Sequence, residues 1–244
     1  MTFCRFITGI FALALAGTLS AGAAQALSVD LITNGDFETG NLSGWNTTTT
    51  GYSNGFLINN GNVNPAGPQG RTAPISGNYD VLSSQTGYGI GTLTQFFTVP
   101  DQIISATFSF TEKVMNYYVL GYSDPNQEFR VNLINQAGTV ISNIFSTDAG
   151  DNTRPNSPTT LSYDLTSLLQ ANLGNTLGVQ FQQQDSYYYM NTSLDDIKMM
   201  VETPAAVSLP PTIWMMLAAL GLFGFLAWKR RDAGNAMSFT AMPA

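Results

Sequence analysis

Between residues 28 and 206, apolar positions recur at every second residue in short runs separated by turn-rich stretches, a pattern that predicts strands half-buried in a sandwich. The clearest run is Ile104–Thr111, where Ile104, Ala106, Phe108 and Phe110 share one face. Leu93, Gln95, Phe97 and Val99 alternate likewise before the turn pair Pro100-Asp101. Further strands are predicted at Glu128–Ile134, with Phe129, Val131 and Leu133 on one face, and at Thr139–Phe145, Leu177–Gln183 and Leu194–Val201. Helical spacing is confined to Asp164–Leu173, where Leu165, Leu168 and Leu169 line up and Gly174 follows as a stop. Residues 46–78, rich in Thr, Asn, Gly and Pro, read as long loops around one strand at Gly55–Ile58. No internal period of about 20–50 residues is visible, so a solenoid or propeller is not expected.

The two ends of the 244-residue chain have a different texture. Arg5, an uncharged run from Phe6 to Leu19 and the closing Ala24-Gln25-Ala26 give residues 1–26 the form of a secretory signal peptide. At the other end, Val207-Ser-Leu-Pro-Pro211 precedes an uncharged stretch, Thr212–Trp228, and the triplet Lys229-Arg230-Arg231. Apolar side chains cover every face of that stretch, which predicts a membrane helix over 212–228 with the basic triplet on the cytoplasmic side. The body between, 27–203, is one domain of a size that buries a real core.

Composition narrows the chemistry. Histidine is absent and the single cysteine, Cys4, lies in the export segment. This removes Ser-His-Asp and Cys-His machinery, imidazole metal sites and disulfides from the body. From 27 to 206 fifteen acids face five bases (Arg71, Lys113, Arg130, Arg154 and Lys198), a net charge of −10. Such a body repels phosphate backbones, and nucleic acid is not expected as a partner.

The C-terminal arrangement of short Pro-containing motif, apolar helix and basic cluster resembles the PEP-CTERM family of bacterial sorting signals. It is most similar to the variant reading Val-Pro-Leu-Pro-Ala: Val207, Leu209 and Pro210 match, while Ser208 and Pro211 depart. The resemblance covers 204–231, leaves 232–244 as a short tail, and implies processing by an exosortase-type membrane protease in a Gram-negative bacterium that makes exopolysaccharide. The protein would be exported through the inner membrane, tethered there before processing, and then pass to the cell surface or the medium.

Within the body, Leu31-Ile-Thr-Asn-Gly-Asp-Phe-Glu-Thr-Gly-Asn-Leu-Ser-Gly-Trp45 resembles the first strand of galactose-binding-like jelly rolls, the fold of many carbohydrate-binding modules. Ser193-Leu194-Asp195-Asp196-Ile197 resembles their final strand, and Gly91-Thr-Leu-Thr-Gln95 an internal strand in which a Gln recurs. The resemblance implies an all-β jelly-roll sandwich with first and last strands side by side. It also implies a structural Ca²⁺ held by Glu38 and Asp196, with Asp36 or Asp195 and backbone carbonyls completing the shell. Hard oxygen ligands suit that ion, and a cation would offset the repulsion of neighbouring carboxylates. Phe37 and Trp45 are expected in the core.

For a ligand face the chain offers Tyr117-Tyr118, Tyr122 and Tyr187-Tyr188-Tyr189, near strand ends and amid Asn, Gln and Ser. Aromatic faces stack on sugar rings while amides and carboxylates bond the hydroxyls. Adjacent residues of a strand point to opposite faces, so part of each group should face outward and part should pack inward. Glycoside hydrolysis needs two carboxylates set across a cleft; Glu112, Asp124 and Glu128 are the acids to examine, and their spacing in sequence does not place them. Gly87–Gly91 lacks the Lys and the helix of a phosphate loop. The reading is an exported, non-enzymatic protein whose β-sandwich binds or associates with extracellular polysaccharide. The alternatives are a self-associating structural surface or biofilm-matrix protein, and a hydrolase using a carboxylate pair.

Overall fold

A computed structural model describes residues 25–151, 157–205 and 211–236. The signal-peptide run before residue 25 and the motif residues Val207, Leu209 and Pro210 lie outside them. Residues 26–205 form one compact unit of nine antiparallel strands. They are β1 (Leu27–Asp30), β2 (Asn46–Asn59), β3 (Asp80–Thr98), β4 (Ser105–Asn116), β5 (Gln127–Asn135), β6 (Val140–Ser146), β7 (Thr159–Asp164), β8 (Thr176–Asp185) and β9 (Met190–Thr203). The short helix α1 (Thr166–Gln170) falls within the segment with helical spacing.

One strand belongs to two sheets. The first half of β3, Val81–Gln85, pairs with β9, and its second half, Gly89–Thr98, pairs with β8. β2 follows it along both halves. One sheet therefore runs β2-β3-β9-β4-β7, with β1 also on β9, and the other runs β2-β3-β8-β5-β6. The core lies between them. Phe108 and Phe110 of β4 meet Phe181 of β8 at centroid distances of 6.3 and 5.4 Å, the second pair edge-on. Each such buried ring is worth roughly 1.5–3 kcal/mol in apolar burial, and well-oriented aromatic pairs add about 1 kcal/mol more.

The expectation that the first and last strands run side by side is met by β1 and β9, paired from Leu27↔Thr203 to Asp30↔Met200. The opening motif itself is not strand but a turn-rich wedge that follows β1. Asn34 and Phe37 take positive φ, Phe37 is fully buried, and the Trp45 indole N–H donates to the Asn34 carbonyl at 3.0 Å. Gly35 is required there: a Cβ would sit 1.9 Å from the Ile197 carbonyl oxygen. Gln95 brackets the Thr33 peptide, accepting from its N–H at 2.7 Å and donating to its carbonyl at 2.9 Å. That explains a Gln at an inward position of a core strand: both ends of its amide are satisfied by one backbone unit.

Three expectations are corrected. β2 reaches back to Asn46, well before Gly55, and β7 was not anticipated at all. The C-terminal apolar stretch is helical, α2 (Pro211–Ala236), with side chains from Trp214 to Leu226 exposed. Among the described residues, however, no helix is long and apolar enough to cross a membrane. The uncharged stretch is 17 residues, Thr212–Trp228, a rise of about 25 Å against a hydrocarbon core of about 30 Å. The helix then continues through Lys229, Arg230 and Arg231.

Candidate functional site at the tyrosine end of the sandwich

The sequence-nominated tyrosines come together at one end of the sandwich, and they divide by burial. The β4–β5 loop carries Tyr117, Tyr118 and Tyr122, and the β8–β9 loop carries Tyr187, Tyr188 and Tyr189; the Tyr117 N–H donates to the Tyr189 carbonyl at 3.0 Å and ties the loops. Tyr118 and Tyr187 stack face to face, centroids 4.6 Å apart and planes 13° from parallel. Tyr188 meets Tyr189 edge-on at 4.5 Å. Tyr187 and Tyr188 are 48% and 49% exposed. Tyr117, Tyr118 and Tyr189 are half-buried, and burial raises the Tyr117 hydroxyl pKa. Tyr122 is a correction: it is 1% exposed and part of the core, because its loop folds back under residues 147–151 through the Tyr122 N–H to Asp151 and the Gly150 N–H to Tyr122. Sequence reasoning missed Tyr52 and Tyr88. Both are exposed (73% and 67%) near the point where β2 and β3 bend, by Gly51 and Gly89, and Gly89 pairs with Asp185 at the foot of the β8–β9 loop.

Beneath this aromatic surface lies a layer of buried polar groups. Asp185 is fully buried; its Oδ1 accepts from the Tyr187 and Tyr188 amides at 3.1 and 3.3 Å, so it fixes the loop that presents the rings. Its Oδ2 is buried without a hydrogen-bond partner, as are Asn116 Nδ2, Ser186 Oγ and Gln85 Oε1. The Gln127 amide donates to Asn116 Oδ1 at 2.8 Å, and its carbonyl accepts from the Ser186 N–H. Burial pushes the Asp185 carboxyl up to about 6, against the lowering pull of the Tyr187 and Tyr188 amides, the Gln127 side chain and the Ser186 amide. Unpaired buried polar atoms are rare in folded proteins; residues 60–79 and the strand β9 beneath them have them too, at Gln69, Asn191 and Ser193. The outer face of β8 adds a row of half-buried amides, Gln180, Gln182 and Gln184, whose alternation was visible in the sequence.

The acids nominated for calcium sit elsewhere, and two of them, Glu38 and Asp195, are engaged by protein donors. Residues 60–79 form a strap over the outer face of the β3-β9-β4 sheet. Glu38 accepts from the Asn78 and Tyr79 amides at 2.7 and 2.9 Å and from the Asn78 side chain, which holds its carboxyl below the usual range. Asp195, fully buried, accepts from the Ser76 N–H and hydroxyl and from the Asp196 N–H; burial nevertheless raises it to about 6. Asp196 is half-buried at a positive-φ kink and takes a longer contact from Ser76 Oγ, while exposed Asp36 accepts from the Glu38 N–H. Asp80, which sequence reasoning passed over, accepts from the Ile75 N–H and the Asn59 amide; burial, with Asp195 adding to it, raises Asp80 to about 7. Protein donors take up both oxygens of Glu38, Asp195 and Asp80, and among the described residues no group of three or more acids has a metal-holding arrangement.

Of the acids considered for hydrolysis, Asp124 and Glu128 share one partner, Arg130, and Glu112 lies apart from them. Glu128 is buried in an ion pair with Arg130, which also contacts Asp124 Oδ1 at 3.1 Å. Glu112 is buried on β4 of the other sheet, in register with Leu194.

No family model matches the chain, and no curated protein matches it. Solved structures similar to it include TmCBM61 in complex with β-1,4-galactotriose (11% identity, 70% of this chain, 97% of that one, TM-score 0.45). Another is the K3 cleaved adhesin domain of Lys-gingipain from Porphyromonas gingivalis (16%, 71% and 98%, 0.45). A third is the Stig cyclase Fisc from Fischerella sp. TAU (18%, 75% and 100%, 0.44). The similarity extends to carbohydrate-binding-module sandwiches, but these are remote likenesses among proteins of unlike activity and carry no argument for what this chain does.

Proposed function

We propose that this protein is an exported, non-enzymatic polysaccharide-binding protein that takes its ligand at the tyrosine end. The observation that carries the reading is the stacked Tyr118–Tyr187 pair with exposed Tyr188 beside it, held over buried Asp185 whose Oδ2 has no partner. Exposed aromatic faces next to spare hydrogen-bonding groups are what pyranose rings require: apolar stacking on one side and hydroxyl bonding on the other. Delivery rests on the sequence pattern of the two ends, an N-terminal export signal and a PEP-CTERM-like C-terminus open to an exosortase-type protease. The ligand would then be met at the cell surface or in the medium.

The test is native affinity electrophoresis of residues 26–205, a unit that contains every residue of the buried core, through gels containing single polysaccharides. Retardation by at least one polymer is expected, and Tyr187→Ala should abolish it while shifting Tm by only about 1–2 °C, the usual scale for an exposed side chain. Retardation that survives Tyr187→Ala unchanged would move the site off this end.

A further inference from the structure

Resting on that reading, we infer that the tyrosine end selects glycans that carry no carboxylate, sulfate or phosphate groups. The elements that build this end bring acids with them. Asp124 lies on the β4–β5 loop, its side chain 71% exposed. Exposed Asp148 and Asp151 lie on the segment bonded to Tyr122, and Glu128 and Asp185 open and close the strands behind the loops. Among the described residues on these elements the basic side chain is Arg130, and it is already engaged by Glu128 and Asp124. The strap that reaches Tyr189, where a Cβ on Gly67 would meet the ring at 2.7 Å, carries exposed Arg71, and half-buried Lys113 of β4 turns to the strap at Thr72.

An anionic polymer laid across Tyr187 and Tyr188 would therefore bring its charges to a surface of the same sign. Between exposed charges a few ångströms apart the repulsion is about 1 kcal/mol or more per pair at low salt, and a polymer repeats it at every sugar. Neutral pyranoses meet no such term: the rings stack and the hydroxyls carry no charge to be repelled. Repulsion of the wrong ligand sets specificity as surely as attraction of the right one.

The experiment compares retardation of residues 26–205 in gels of a neutral galactan, a neutral β-glucan, alginate and polygalacturonate, at about 20 mM and about 300 mM salt, where the screening length changes several-fold. Retardation by a neutral polymer at both salts, with at least tenfold weaker retardation by the two uronate polymers at low salt, is the expected result. The double variant Asp124→Lys/Asp148→Lys should gain retardation in alginate while its affinity for the neutral polymer stays within about twofold, since neither residue supplies a ring face. Wild-type retardation by alginate equal to or stronger than by neutral polymers overturns the selectivity and leaves the binding reading standing. Free migration in all four gels overturns both. A double variant that still ignores alginate, with neutral binding intact, overturns the electrostatic cause.

Discussion

Two regions of this sandwich are rich in acids, the strap over one face and the tyrosine end, and they use them in opposite ways. At the strap, Glu38, Asp80 and Asp195 come from three different segments and between them hold the backbone amides of Ile75, Ser76, Asn78 and Tyr79. Each of these carboxylates spends its oxygens on donors of its own chain. At the tyrosine end, Asp185 also holds two consecutive amides, but one of its oxygens is left over, and the neighbouring side chains of Asn116, Ser186 and Gln85 have spare capacity as well. A carboxylate with every lone pair engaged fastens structure. One that keeps a lone pair beneath exposed aromatic rings belongs to a place where something else completes the set. Acid count alone does not separate these roles; hydrogen-bond accounting does.

The comparison breaks first at the fastened region. Gly35→Ala should have the largest effect, because the new methyl is forced onto the Ile197 carbonyl and pushes apart the Ile197 N–H to Gly35 bond at 2.9 Å. A loss of about 3–5 kcal/mol is expected, read by urea unfolding; an unchanged midpoint would show that the opening wedge is not fixed by β9.

The next effect is on pH dependence. Asp80, Asp185 and Asp195 are all held above the ordinary carboxyl range, at about 7, 6 and 6. The native state therefore binds these protons more tightly than the unfolded chain. The stability they confer is complete below about pH 4 and is lost as pH rises through 6–7. Glu38, held below its ordinary value, works in the other sense: its contribution is present above about pH 4.5 and is lost as pH falls further. Tm should be higher at pH 5 than at pH 8 by about 5 °C or more. Asp185→Asn sharpens the contrast between the two regions. It keeps an acceptor for the two tyrosine amides and removes a buried charge, so Tm at pH 8 should rise by about 2–4 °C. A fall in Tm would mean that Oδ2 has a partner after all.

The smallest effect concerns calcium. With the strap acids satisfied by protein donors, millimolar Ca²⁺ or chelator should move Tm by less than about 1 °C. A site occupied at a hundred times its Kd would stabilise by about 2.7 kcal/mol, which a thermal scan would show as several degrees and which would restore the cation reading of Glu38 and Asp196.

Much of the scaffold was legible because its strands obey the period-two rule. The runs at 104–111, 128–134, 177–183 and 194–201 all became strands, and Phe37 and Trp45 became core. The first part of β2 was not legible: Asn46–Gly51 is exposed on both faces, so no alternation marks it. β7, Thr159–Asp164, is an edge strand with a mixed, half-exposed pattern. At the site, the tyrosine clusters could be nominated because of their type and position. Which of them stayed outside depended on how the loops fold back, as buried Tyr122 shows. Asp80 and Asp185 gave no local signal, since the burial of an acid is decided by chain segments far away in sequence.

The pairing of β1 with β9 has a consequence for how the protein comes into being. Leu27 and Thr203 are neighbours in space although 176 residues separate them along the chain. The first strand to emerge during synthesis finds its partner only when the last has followed, and β3 cannot complete either sheet before β8 and β9 arrive. Such distant pairing makes folding slow. Under the export proposed above, in which the chain would thread a channel unfolded, a fold that closes only with its final strand would keep the thread loose until the crossing is nearly done.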